Sequence, residues 1–365
     1  MTMDTPELND ILRNTPPYRC NADGIVRVWA YIGGDDPMRG ESRGATGLAQ
    51  RVAEKLNGRM LYVDEDMLNT SFPNTKSMAK KLEKLMERNG RPDIVIGHTA
   101  QQLAHKTDAD PTFLIDTILP HIAKDMLPPT TGLNLIVPHH LTPDILAKNG
   151  QEFSAHHCNM ARPLTAIFLA DLANTDDTAG VIADTCLNGD GGTLYFCPST
   201  RTNQMLYSRT THDLDKILKR RGLTALFNVL APPLDEVKNG FNPYIGLIDQ
   251  ADHAVLIGES QSIMSEAIVN GRPLHIHWPD SPAMIGAFEH HYQPLADAGY
   301  IRYLHHQKPN QTLNCTRLPP IDTSDIIATK IANDFDRSAR VRTLRPGMMA
   351  LQNPCCIKIK EPGAC

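Results

Sequence analysis

No stretch of eighteen apolar residues occurs in the chain, so no segment reads as a membrane-spanning helix. Cations are not in surplus either. Lys and Arg total 36 against 41 Asp and Glu, a formal charge of −5, which argues against a general nucleic-acid binder because phosphate contacts need excess positive charge. The cysteines at 20, 158, 186, 197, 315, 355, 356 and 365 make no Cys-x-x-Cys pair and no disulfide framework. Met1 to Asn14 is acidic and lacks the basic start and apolar run of a secretory signal. Together these absences place the chain in a reducing cytoplasm, where the Asn-x-Ser/Thr matches at Asn69, Asn310 and Asn314 carry no glycan. No Gly-x-Gly-x-x-Gly follows a predicted strand, which disfavours a dehydrogenase. Metal ligation lacks its usual spacing. The paired histidines at 139–140, 156–157, 290–291 and 305–306 are adjacent residues, which rarely aim at one ion, and no i, i+4 pair supports them. Neither a metal nor a cofactor is expected.

What is present is an alternation. With 365 residues, 41 % of them hydrophobic, the chain is long enough for two domains with ordinary cores. Apolar runs at 25–32, 59–63, 93–97 and 133–138 read as strands. Between them, Ala45, Leu48, Ala49, Val52 and Leu56 mark one helix face, and Met78, Leu82, Leu85 and Met86 another. Residues 113–126 also read as helical, with Pro120 inside. The pattern then restarts. Strands are predicted at 164–169, 193–197, 225–229, 253–257, 273–277 and 300–304, with helices at 211–221, 243–250, 262–270 and 282–298. A last helix spans 323–340, with Ile327, Ile331 and Phe335 on one side.

Such alternation predicts an α/β protein of two Rossmann-like, doubly wound lobes facing across a cleft, with ligands outside the carboxyl ends of the strands. The expected divisions are an N-terminal lobe at 1–155, a C-terminal lobe at 156–322, a last helical segment at 323–345, and an irregular tail at 346–365.

Three stretches carry candidate chemistry, each following a strand or opening a helix. In His253 to His277, a buried strand ends at Gly258, Ser260, Ser262 and Ser265 follow, and the chain turns into a helix. The first N–H groups of a helix lack internal partners and carry the positive end of its dipole, so they suit a phosphate. Glu266, one turn inside, can accept hydrogen bonds from the hydroxyls of a ribose. The same spacing also suits an ordinary serine-capped helix with an exposed Glu. In the second stretch, Ser199, Arg201 and Thr202 follow a strand at the same sheet edge, and one Arg beside hydroxyls can hold a diphosphate. In the third, Asn242 before Pro243 is a natural helix start, and Tyr244 is open to two readings, core packing or framing a nucleotide base.

In order and spacing these residues resemble the "elongated mitochondria" mitochondrial fission family, which is similar to GT-B glycosyltransferases. Ser199-Thr200-Arg201-Thr202-Asn203 matches its Ser-Arg-Arg-Thr-Pro element, and Asn242-Pro243-Tyr244 its Asn-Pro-Tyr element. The run from Glu259 to Ala267 matches its Asp-Ser-x-Ser-Met-x-Ser-Glu-Ala element, with Gly271 and Pro273 in step. In the first lobe, Gly47-Leu48-Ala49 remains of a motif whose preceding loop usually reads Gly-His-Glu-Asn-Gln, here Gly40-Glu41-Ser42-Arg43-Gly44.

The resemblance implies a GT-B arrangement with a nucleoside diphosphate sugar on the C-terminal lobe, an acceptor of unstated identity on the N-terminal lobe, and the last helix crossing back to the N-terminal lobe. Glycosyl transfer would be metal-independent, the helix dipole and basic side chains neutralising the leaving diphosphate. A general base would come from Glu41, Asp35, Asp36, His98 or His139, all after strands. The plant branch of the family implies an alternative: a recruiting protein on the same fold, with a protein partner and no turnover.

Overall fold

The computed structural model describes residues 21–31, 40–64, 75–97, 114–115, 138–170, 178–187, 191–199, 202–258, 260–277, 292–293, 295–304, 313 and 316–344. These fall into two compact units, one built on the N-terminal sheet and the helix from Thr323, the other on Leu141–Asp322. The second unit thus begins one helix earlier than the expected division at 156.

The first unit holds strands β1 (Arg27–Tyr31), β2 (Arg59–Val63), β3 (Ile94–Ile96) and β4 (Leu114–Ile115), all parallel, in the order β2-β1-β3-β4. β4 lies where the sequence predicts a helix. Leu114 and Ile115 are part of a short apolar run, which periodicity alone cannot assign, and pairing with Val95 and Ile96 decides for strand. Helix α1 (Gly40–Lys55) packs on this sheet through Ala45, Leu48, Ala49 and Val52, all buried, and α2 is Thr75–Asn89. The helix from Thr323 belongs to this unit. It packs on α1, and Lys55 pairs with its Asp325 at 2.7 Å.

Gly47 has a packing role of its own. A Cβ there would lie 2.5 Å from the Cα of His140 and 2.6 Å from the His139 carbonyl oxygen, so only glycine lets residues 138–140 cross α1 this closely.

The second unit starts with α3 (Pro143–His156), capped by the Thr142 side chain with Pro143 at its first turn. Then come β5 (Leu164–Leu169), α4 (Thr178–Cys186), β6 (Gly192–Pro198), α5 (Gln204–Arg221), β7 (Phe227–Leu230), α6 (Leu234–Asn239) and α7 (Tyr244–Gln250). β8 (His253–Ile257), α8 (Gln261–Ile268), β9 (Leu274–His277) and β10 (Ile301–Tyr303) complete its sheet, and α9 is Thr323–Leu344. α5 begins seven residues before the expected 211, because Asn203 caps it through two backbone N–H groups. The expected strand at 133–137, most of the helix at 282–298, and the tail at 346–365 lie outside the described residues.

The six parallel strands run β10-β9-β8-β5-β6-β7. β5 is central. Winding proceeds outward from it first on one side and then on the other, which is the doubly wound, Rossmann-like order. Alternate residues of β5 serve opposite faces, as strand geometry requires. Ile167 and Leu169 join Ile182, Tyr207, Leu214 and Leu218 of α4 and α5 in one core, while Phe168 meets the Tyr244 ring of α7 edge-on at 5.5 Å.

The two sheets start the same way. Asp93 precedes β3 and Asp252 precedes β8, each next to the unit's first strand. Asp93 donates its N–H to the Arg27 carbonyl and accepts the Arg27 N–H on Oδ2, both at 2.8 Å. Asp252 does the same with Leu164, both at 2.7 Å. Among the described residues, no helix is long and apolar enough to cross a membrane.

Candidate functional site

Register decides which loops meet. Leu169 pairs with Pro198 on one side and Ile257 on the other, and Ile257 pairs with His277. The carboxyl ends of β6, β5, β8 and β9 are therefore level, and the winding reverses between β5 and β8. In sheets of this topology ligands bind outside that point.

At the end of β8 the chain turns sharply. Gly258 has φ +91°, a left-handed conformation that favours glycine, and its N–H donates to the His277 carbonyl at 2.9 Å. Ser260 follows in extended backbone and caps α8, its hydroxyl accepting the Ile263 N–H at 3.3 Å. Ser262 is half-buried, Ser265 buried. Glu266 is only 4 % exposed, which sets aside the reading of a solvated carboxylate on a capped helix. The Tyr244 hydroxyl, at the start of α7, donates a short hydrogen bond to Glu266 Oε2. Of the two readings open for Tyr244, its ring takes the first, packing edge-on to Phe168, while its hydroxyl is engaged with the carboxylate.

Asn242, exposed, accepts the Tyr244 N–H on Oδ1 at 3.0 Å and so fixes the entry of α7. After β6, Ser199 and Thr202 close a compact turn. Thr202 Oγ1 accepts the Ser199 N–H at 2.7 Å and donates to the Leu169 carbonyl at 3.0 Å. A hydroxyl has one proton, so the 3.1 Å contact between the two side chains is donated by Ser199. Thr202 is thus committed to holding the loop against the end of β5, and Ser199 is the half-buried hydroxyl of the pair. Arg201 lies outside the described residues.

Two residues not picked out from sequence support this arrangement. Asn270, just after α8, donates to the Ile248 and Asp249 carbonyls of α7 at 3.0 and 3.4 Å. Arg272, buried, donates to the same carbonyls at 3.1 and 3.3 Å. Burial pushes its pKa down to about 10, helped by the positive charge of Arg317. No motif marks them; both are read only from the packing of α7 against α8. The loop before Asn242 has its own anchor: Phe241 stacks on His156 at 4.1 Å, and His157 lies 3.2 Å from the Tyr195 hydroxyl. Burial lowers the His157 pKa, with His156 beside it acting the same way.

The base candidates sit apart from these residues in the chain. His139 is 1 % exposed, its backbone N–H and carbonyl both bound by Ser324 Oγ at 2.6 and 2.7 Å, and its carbonyl also by Arg51. Its backbone is thereby fixed, and its side chain is buried. Glu41 falls in the first turn of α1, and Asp35, Asp36 and His98 lie outside the described residues.

A sequence model of the mitochondrial fission ELM1 family matches residues 125–335. Among curated proteins, none matches the chain. Among solved structures, a UDP-glucose:anthocyanidin 3-O-glucosyltransferase in complex with UDP is similar at 10 % identity and TM-score 0.29, over 82 % of this chain and 73 % of that one. The aspartate transcarbamoylase catalytic subunit of M. jannaschii is similar at 11 % identity and TM-score 0.22, over 93 % of this chain and 92 % of that one. Neither likeness is high enough to bear on function.

Proposed function

This chain belongs to the mitochondrial fission ELM1 family, and from that premise we propose that its second unit binds a nucleoside diphosphate sugar. Glu266 takes the ribose. Ser260, Ser262 and the first N–H groups of α8 take the diphosphate, with Ser199 and Arg201 from the loop after β6. The observation that carries this reading is the buried carboxylate of Glu266, one turn into the helix that follows β8 beside the reversal point of the sheet. A carboxylate this close to the sheet's reversal point, with the Tyr244 hydroxyl already on Oε2, is the kind of fixed acceptor that sugar hydroxyls can use. Asn242 and Ser265 serve as framing residues, the one capping α7 and the other a buried residue of α8.

Sugar transfer is the second part of the same proposal. Charge building on the leaving diphosphate would meet the positive end of α8, which lowers the barrier without a bound ion, and Arg201 is the basic side chain that the sequence offers beside it. The candidates for a general base stay those the sequence offers, Asp35, Asp36, Glu41, His98 and His139.

A second reading is a binding protein without turnover, and the family's own name speaks for it, since it refers to mitochondrial fission rather than to sugar transfer. Calorimetric titration with UDP, GDP, ADP and CMP derivatives tests the shared part of both. We expect one to bind, and Glu266→Ala to weaken it more than about tenfold, as a charged hydrogen bond predicts. No binding of any at millimolar concentration overturns the proposal. Release of the diphosphate from the bound sugar nucleotide then separates an enzyme from a recruiter.

A further inference from the structure

We propose that Tyr244 is a specificity-determining positioning residue, holding the Glu266 carboxylate so that the site distinguishes a ribose from a deoxyribose. This rests on the reading that Glu266 takes the ribose.

A glutamate has three side-chain torsions, and the last is broad, so burial alone does not aim its oxygens. Here the aim is set from outside α8. The Tyr244 hydroxyl donates to Oε2 in a short, charge-assisted hydrogen bond. A carboxylate has about four acceptor positions, so a bond from one tyrosine and bonds from sugar hydroxyls do not compete for a single site. Tyr244 is itself held firmly. Its N–H is bound by Asn242, and its ring packs edge-on to Phe168 of β5. Two residues on, Gly246 lies against Phe153 of α3 with no room for a side chain. At the other end of α7, Asn270 and Arg272 grip the carbonyls of Ile248 and Asp249. α7 is thus tied at both ends to α8 and the turn that follows it, and Tyr244 links the orientation of the carboxylate to the sheet. An acceptor fixed in this way rejects a ligand that lacks the matching hydroxyl far more strongly than a loose one does.

The test compares UDP with 2′-deoxy-UDP, and GDP with 2′-deoxy-GDP, by calorimetry on the full chain. Wild type is expected to prefer the ribonucleotide by about tenfold or more. Tyr244→Phe, which removes one oxygen, is expected to bring that preference below about threefold; it takes a hydrogen bond from a buried carboxylate, so its thermal midpoint should fall by a few degrees while its far-UV spectrum stays that of a folded chain. Glu266→Asp retracts the same carboxylate from Tyr244 by one methylene and is the second variant if the first does not fold; it too should lose the preference. If a ribonucleotide is preferred and either variant keeps the preference while Glu266→Ala abolishes it, the role of Tyr244 is refuted and the ribose site stands. If wild type binds neither nucleotide of either pair, the ribose site itself fails.

Discussion

Gly246 of α7 faces Phe153 of α3 so closely that a Cβ on the glycine would stand 2.4 Å from the Phe153 Cβ and 2.9 Å from the Asn149 carbonyl oxygen. One of these neighbours is backbone and the other sits next to it, so neither can move away cheaply. Adding the methyl gains helix propensity, at most about 1 kcal/mol, but overpacking costs about 1–3 kcal/mol. Gly246→Ala should therefore lose stability, by about 1–2 kcal/mol in urea denaturation. An unchanged or raised midpoint would show that α3 and α7 are not packed as described.

The Thr202 hydroxyl is expected to matter to the loop rather than to a ligand. Thr202→Val keeps the shape but leaves the Ser199 N–H and the Leu169 carbonyl without this partner. The Ser199 N–H keeps its 3.1 Å bond to the Leu169 carbonyl, so the expected cost is that of ordinary hydrogen bonds, about 1 kcal/mol. Differential scanning calorimetry measures it, and a neutral result would mean that the loop does not depend on that hydroxyl.

Much of this was readable in the residues themselves. The level ends of β5, β6 and β8 follow from apolar strands that each stop at a turn, and Ser260 reads as a cap from its place before the α8 helix. α3 was missed although Thr142-Pro143 is a sound helix start, because Gly150 and the histidine pair obscure its apolar face of Leu146 and Phe153. β4 was misread because a two-residue strand has no period of its own. The bond between Tyr244 and Glu266 was not legible at all. The residues are 22 apart, and they meet because α7 lies against β5 and α8 against β9, the strands on either side of β8.

Acid should weaken the second unit through His275. This residue is fully buried on β9, its Nε2 without a hydrogen-bond partner. Burial pushes its pKa from 6.5 to about 4 against an opposing bond to the Ala254 carbonyl, with His253 and Arg302 adding to the downward shift. Below pH 6.5 the unfolded chain takes up a proton that the folded one refuses, so stability falls as pH drops from 6.5 towards 4. Between about pH 7 and pH 5 this one group accounts for about 2 kcal/mol. His275→Leu should lose correspondingly less over that interval in urea titrations. Equal losses in the two proteins would rule out His275 as the source.

The thiols should divide by depth. Burial pushes Cys186 and Cys197 up to about 12, while Cys158 is exposed. Iodoacetamide at about pH 8 acts on thiolate, so peptide mapping should find Cys158 alkylated in the native protein, and Cys186 and Cys197 only after denaturation. Early labelling of either buried thiol would contradict the packing of β6 and α4.

A crystal structure with the nucleoside diphosphate that binds in titration puts the central claim to its most direct test. The account predicts both ribose hydroxyls within about 2.5–3.2 Å of the Glu266 carboxylate and the diphosphate over the first turn of α8. A nucleotide bound elsewhere, or one whose ribose makes no contact with Glu266, would contradict it.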